Sequence, residues 1–161
     1  VAIGHGVILA AEKIEEGASA KEIAEFLEDW YNTVDIYLAC YTLQYAKKSG
    51  RIGAATAFVG ELLGMRPIIR MVDGKTETVD KLRGNLGIVD KLFQQYKKTR
   101  PSKDAEVMVA HGRNIEEAQR LQKLIQKDIG REIPLYPLGS AIMINAGPDA
   151  CAFVVKGENR N

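Results

Sequence analysis

Few residues in this chain are placed to do chemistry, and the most concentrated of them are cationic. Lys47, Lys48 and Arg51 fall in the run Lys47-Lys48-Ser49-Gly50-Arg51-Ile52-Gly53. A guanidinium keeps its charge and offers several donors, so Arg51 suits a carboxylate or a phosphate, and equally an acidic partner surface. Ala54, Ala55, Ala57, Phe58, Val59, Leu62 and Leu63 follow directly. A helix that is apolar nearly all round is normally buried, and helix N-termini favour anions. A basic turn running into such a helix fits a ligand with an acidic head and a long apolar body. It also fits a core helix preceded by a solvated turn. Asn145, two residues before Gly147-Pro148, is the second polar candidate, since an amide there can hydrogen-bond a ligand or cap the turn.

Catalysis finds little support. His5 and His111 are the only histidines and lie far apart in sequence. There is no nucleophile elbow, P-loop or GxGxxG fingerprint. Ser49, Thr56 and Ser140 have no evident base beside them. Cys40 and Cys151 make neither a CxxC pair nor a zinc spacing, and each sits in an apolar run. They read as buried free thiols, which fits a reducing, cytoplasmic setting. A net charge of +1 gives no global attraction to nucleic acid or to an anionic membrane. With 46% hydrophobic and 27% charged residues, and no apolar run near the roughly 18 residues of a membrane span, the composition is that of a globular protein.

The elements that must position these residues follow from periodicity. Val7, Ala10, Ala11 and Ile14 recur at helical spacing after a Gly-His-Gly turn, and Gly17 ends that helix. Ser19 with Glu22 predicts a capping box and a second helix with Ile23, Phe26, Leu27 and Trp30 inward. Strands are expected at 34–41, 67–72, 75–82, 105–110, 133–136, 141–145 and 151–155, with Asp73-Gly74 marking a hairpin. Helices are expected at 85–98 and after the Asn114/Glu117 capping box, up to Gly130. Helix–strand alternation mixed with a hairpin predicts an α/β fold: a two-layer, mixed sheet with helices on one face. Residues 1–33 lack strands of their own and read as terminal helices of a mostly missing N-terminal domain, 34–157 as the ligand-binding domain and 158–161 as a tail.

The run from Tyr41 to Gly53, the following Leu62-Leu63-Gly64-Met65-Arg66-Pro67-Ile68 and Asp73-Gly74 resemble the DegV family of fatty acid-binding proteins. Leu82-Arg83-Gly84, Leu138-Gly139 and Gly147-Pro148 fall where that family has them, so the resemblance covers essentially the whole chain. It implies the C-terminal domain of a two-domain bacterial carrier with no catalytic residues, no cofactor and no metal. A long-chain fatty acid such as palmitate would be held in a tunnel and presented to a separate fatty acid kinase subunit. By the resemblance, Arg51, with Lys47 and Lys48, faces the kinase and the ligand rim, and Ala39, Ile52, Phe58, Leu62 and Ile142 line the acyl tunnel. Asn145 takes the place of the family's head-group histidine, and an asparagine cannot supply a positive charge. Half a tunnel would expose apolar residues, so self-association is expected too. Two other readings stand beside this one: a dihydroxyacetone-kinase-like phosphotransfer domain, and a ligand-free docking domain.

Overall fold

A computed structural model describes residues 1–50, 64–72, 75–84 and 87–156. Its helices are α1 (Ala2–Glu15), α2 (Ala20–Thr33), α3 (Gln44–Lys48), α4 (Ile88–Lys98), α5 (Ile115–Ile129) and α6 (Ser140–Ala146). Its strands are β1 (Val34–Ala39), β2 (Met65–Val72), β3 (Lys75–Arg83), β4 (Val107–His111), β5 (Leu135–Pro137) and β6 (Cys151–Lys156). They form one six-stranded sheet in the order β3-β2-β1-β6-β4-β5. The β4–β5 pair is parallel and every other pair antiparallel, so the sheet is mixed as expected. β2 and β3 are the two arms of the expected hairpin.

The main core lies between the sheet and the pair α4/α5. Tyr37, Ile68, Val107, Val109 and Phe153 meet Leu92, Tyr96, Leu121 and Ile125 there. Phe153 stacks on Tyr37 at 4.7 Å between ring centroids and meets Tyr96 edge-on at 5.9 Å, both favourable aromatic geometries. The alternating residues of the same strands face the other way. Met108 and Val154 pack there against Trp30 and Ala2 of the first two helices. Cys40, Ala110 and Ala152 pack against Leu138, Ala146 and Met143.

The α2 capping box forms as expected: the Ser19 hydroxyl accepts from the Glu22 N–H and the Glu22 carboxylate accepts from the Ser19 N–H. Gly17 closes α1 at φ +91°, with the Gly17 and Ala18 N–H groups donating to the Ile14 and Lys13 carbonyls, a left-handed position that glycine fills at least cost.

Three expectations need correction. Gly4-His5-Gly6 is helical, within α1, and its inward residues are Ala2, His5, Gly6 and Ala10. A Cβ on Gly6 would stand 2.9 Å from the Trp30 indole, so this glycine serves close helix packing rather than a turn. The opposite stripe of α1 stays in water: Ile3 is 72% exposed, Val7 57% and Ile14 60%. Second, 141–145 is part of helix α6 and not a strand, which leaves six strands among the described residues where seven are expected. Met143 and Ala146 turn inward at a helical spacing of three, while Ile142 and Ile144 point out. β4 lies between β5 and β6, so the connection has to cross the end of β4, and α6 makes that crossing. Third, the second capping box is only half made. The Asn114 side chain accepts from the Glu117 N–H, but Glu117 Oε2 is buried without a hydrogen-bond partner among the described residues. Burial pushes the Glu117 carboxyl above its ordinary range.

Candidate functional site

The strand directions gather several loops at one end of the sheet. β6 runs antiparallel to both β1 and β4, and β5 runs parallel to β4, so the carboxyl ends of β1, β4 and β5 point the same way. Ligands of open α/β sheets settle outside such ends, where loops rather than strands decide the shape. Tyr41, Thr42 and α3 leave β1 at this end, Met65 and Arg66 enter β2, and His111-Gly112-Arg113 leaves β4. Gly147 to Ala150 leads from α6 back into β6.

Close packing fixes α6 against α3. A Cβ on Gly147 would lie 3.1 Å from Tyr45 Cδ2 and 3.7 Å from Thr42 Cγ2, so the two segments touch where a side chain would not fit. The loop after α6 is tied to the end of β4. The Gly112 N–H donates to Ala150 O at 2.8 Å and the Arg113 N–H to Pro148 O at 2.6 Å. Arg113 grips Asp149 with both Nε and Nη2, at 3.1 and 3.2 Å. The Asp149 carboxylate, as hydrogen-bond acceptor and as charge, raises the Arg113 guanidinium above its ordinary value, so this arginine is a permanent cation already partnered.

Within that frame Asn145 has a specific orientation. Its Nδ2 donates to Ala141 O, four residues back in α6, at 2.8 Å. Its Oδ1 is buried and has no hydrogen-bond partner among the described residues. The amide therefore does not cap the Gly147 turn. α6 rests on a patch of small side chains, with Cys40, Ala110, Ala150 and Ala152 buried beneath it and Leu38 and Ile69 at the margin. A second polar group sits at the start of β2. Arg66 Nε donates to Tyr41 O at 2.8 Å, its guanidinium stands 5.9 Å from the Tyr41 ring centroid, and both Arg66 Nη1 and Tyr41 Oη are buried without partners among the described residues.

The expected site residues are distributed unevenly. Arg51, Ile52, Phe58 and Leu62 lie outside the described residues. Lys47 and Lys48 are exposed on α3. Ala39 is fully buried in the core beneath α4 and α5, whereas Ile142 is on the outer side of α6, 43% exposed, on the other face of the sheet. The structure thus packs the end of α6, the helix that carries Asn145, against α3 but does not bring Ala39 and Ile142 together. His5 is a packing residue: Nε2 is 3.3 Å from Glu106 Oε2, Nδ1 is 3.5 Å from Tyr136 Oη, and the ring leans on Trp30. His111 Nδ1 is 2.7 Å from its neighbour's carbonyl, Gly112 O. No cluster of three metal-binding side chains occurs among the described residues. Among the described residues no helix is long and apolar enough to cross a membrane. Thr42, Tyr45, Arg66 and Gly112 were not visible as site residues, because what places them is contact across the sheet end; a glycine between His111 and Arg113 just after a strand was the one available signal.

Comparison with known proteins agrees with this architecture. The family model described as "Uncharacterised protein, DegV family" matches residues 1–158. A DegV domain-containing protein of Deinococcus radiodurans is 28% identical over 158 residues, covering 95% of this chain and 54% of the relative. The chain spans about half the length of the curated relatives it matches, as with one from Clostridium perfringens, of which it covers 52%. Among solved structures, a fatty acid-binding DegV family protein of Thermus thermophilus superposes with a TM-score of 0.84 at 24% identity, over 97% of this chain and 57% of that one. The chain belongs to the DegV family.

Proposed function

We propose that this chain is the lipid-binding part of a DegV-type carrier that holds a long-chain fatty acid and presents it to a separate fatty acid kinase subunit in the cytoplasm. The observation that carries the reading is Asn145: a polar atom without a partner among the described residues, on a helix lying over a small-residue patch at the carboxyl end of the sheet, in a chain of the DegV family. Support comes from a DegV family protein of Eubacterium eligens loaded with heptadecanoic acid, which has the same fold at a TM-score of 0.80, 19% identity, over 95% of this chain and 56% of that one. In this reading the protein makes and breaks no bond. It removes the acyl chain from water, and about 25 cal/mol per Å² of apolar surface makes that worth several kcal/mol for a long chain. Phe58, Leu62 and Ile52 contribute the acyl-facing surface, and Lys47, Lys48 and Arg51 form the cationic rim that meets the kinase. The apolar stripe of Ile3, Val7 and Ile14 on α1 is the seat of a further domain, which completes the tunnel in a protein of the relatives' length; without that domain the stripe drives self-association.

The test is denaturing extraction of the purified protein followed by mass spectrometry of the released small molecules. A stoichiometric fatty acid is the expected result, and its absence from both this chain and a two-domain form would remove the reading. The variants Phe58→Asp and Arg51→Ala separate the roles. The first abolishes lipid uptake and the second leaves uptake intact while weakening transfer to the kinase; equal lipid loss in both would show that Arg51 holds the ligand instead.

A further inference from the structure

A groove of about 380 Å³ runs along the outer flank of α5, lined by Glu116, Gln119, Arg120, Lys123, Leu124 and Lys127. These positions recur every three or four residues, so they form one stripe from the first turn of the helix to its last, about 16 Å long. Among the six side chains only Leu124 is apolar, and it is half-buried against the core. A pocket for a compact small molecule is mostly apolar with a few polar groups. This lining is the reverse, and it suits a partner that lies along the helix. The charges on this layer are matched selectively. Arg120 is met by Asp90 of α4, and the α4 cations Lys91 and Lys97 are met by Asp80 and Asp128. Lys123 and Lys127 are exposed and pair with no carboxylate among the described residues. Neither has an Asp or Glu three or four residues away on α5. They stand one turn apart with Leu124 between them, and like charges at that spacing repel.

We propose that this groove docks an acidic helical segment of another protein, one that sets two carboxylates a turn apart over Lys123 and Lys127 and an apolar side chain on Leu124. Opposite charge at the rim steers and orients such a partner, and the apolar contact anchors it. Glu116 at the far end repels carboxylates, which fixes the end of the groove that the acidic part occupies. Other occupants fit less well. Nucleic acid asks for a basic stripe with aromatic side chains to stack on, and the lining has no aromatic. Anionic membranes are drawn by clusters of about 4–8 basic residues, whereas Asp90, Glu116 and Asp128 break up the positive charge here. α5 covers the face of the sheet away from α6, so docking here goes beyond the carrier reading and does not depend on a bound lipid.

The probe is a fluorescein-labelled, alanine-based helical peptide of about 16 residues carrying one Glu-Ala-Ala-Leu-Glu run, titrated with this protein by fluorescence anisotropy. Two further peptides carry Lys-Ala-Ala-Leu-Lys or Glu-Ala-Ala-Ala-Glu in its place. The peptide with glutamates and leucine binds about tenfold more tightly than the lysine peptide, and the leucine-free peptide lies between them. Binding weakens as salt rises from about 0.1 to 1 M, where the screening length falls from about 10 to 3 Å. The double charge reversal Lys123→Glu/Lys127→Glu, at exposed positions, lowers the affinity about tenfold. Equal binding of the glutamate and lysine peptides, or binding of neither, would overturn the proposal even if the double variant fails to fold. A loss confined to Lys47→Glu/Lys48→Glu would move the acidic partner to α3 and overturn it as well. Phosphatidylglycerol vesicles that bind the unaltered protein and not Lys123→Glu/Lys127→Glu would make the groove a membrane contact instead. The assay reads no lipid, so its failure leaves the carrier reading standing.

Discussion

Gly112 is where a single methyl group does most damage. A Cβ at that position would stand 2.0 Å from Pro148 O, 2.8 Å from Pro148 C and 3.2 Å from Ala150 N. All three are backbone atoms, which cannot swing aside as a side chain can. In Gly112→Ala the loop before β6 must therefore withdraw. It takes with it the hydrogen bonds from Gly112 N to Ala150 O and from Arg113 N to Pro148 O. Those two bonds are worth about 1 kcal/mol each, and overpacking adds about 1–3 kcal/mol. A loss of about 3 kcal/mol is expected, a sizeable share of the 5–15 kcal/mol that holds an ordinary domain together. Urea unfolding followed by the fluorescence of Trp30, the only tryptophan and fully buried, reads this directly. With a slope of about 2 kcal/mol per M, the midpoint falls by about 1.5 M at unchanged slope. The paired control is Gly4→Ala, because nothing lies within 4 Å of its Cβ and it sits inside α1. That variant gains about 0.5–1 kcal/mol from helix propensity. A midpoint shift below about 0.3 M for Gly112→Ala would refute the reasoning, since it would mean that the loop yields at no cost.

Two further outcomes follow from the electrostatics. Burial alone would raise the Asp80 carboxyl, but the Lys81 N–H, the Lys91 ammonium and the Gln95 amide outweigh it and hold it below its ordinary value. A carboxyl depressed in the folded state adds stability that is complete above its unfolded value and is lost as the pH falls through the folded one. Asp80→Asn therefore flattens the acid side of the stability–pH curve, starting below about pH 4–5, and an unchanged curve in urea titrations would count against it. The second concerns the thiols. Burial pushes Cys40 and Cys151 each up to about 12, so neither is a thiolate at neutral pH. Iodoacetamide at pH 8 labels neither in the native protein and both in denaturant, as counted by intact mass; prompt native labelling would contradict the burial.

Much of this fold can be read from local pattern. β1 and β6 are dense in β-branched and aromatic residues, Asp73-Gly74 separates two strand-like arms, and Ser19/Glu22 fixes the start of α2. These signals are carried by neighbours in sequence, and the corresponding elements are where they place them. Residues 141–145 failed because Ala-Ile-Met-Ile-Asn is apolar and β-branched, and short runs of that kind do not separate strand from helix by period alone. The deciding fact was that a connection must pass over the end of β4, which is a property of the whole sheet. α1 was misread for the opposite reason. Its strongest periodic stripe, Val7 and Ile14, faces solvent, while a histidine and a glycine face inward because the Trp30 ring needs the space. At the candidate site the identity of Asn145 was legible. The direction in which its amide points was not, since that depends on a carbonyl one helical turn away.

The strand order also has a consequence for how the chain comes into being. β6, the last strand described, lies between β1 and β4, with the hairpin arms on one side and β5 on the other. A ribosome releases the chain from its N-terminus at about 5–20 residues per second. During that interval β1–β2–β3 and β4–β5 emerge as two separate ribbons, each with a bare edge facing the place where β6 will go. Neither ribbon can close until residues 151–156 have been made, because those residues are the seam that joins them. A nascent chain stalled just short of Cys151 would thus present two unpaired edges to the cell at once, whereas loss of an outer strand such as β3 would leave the seam whole.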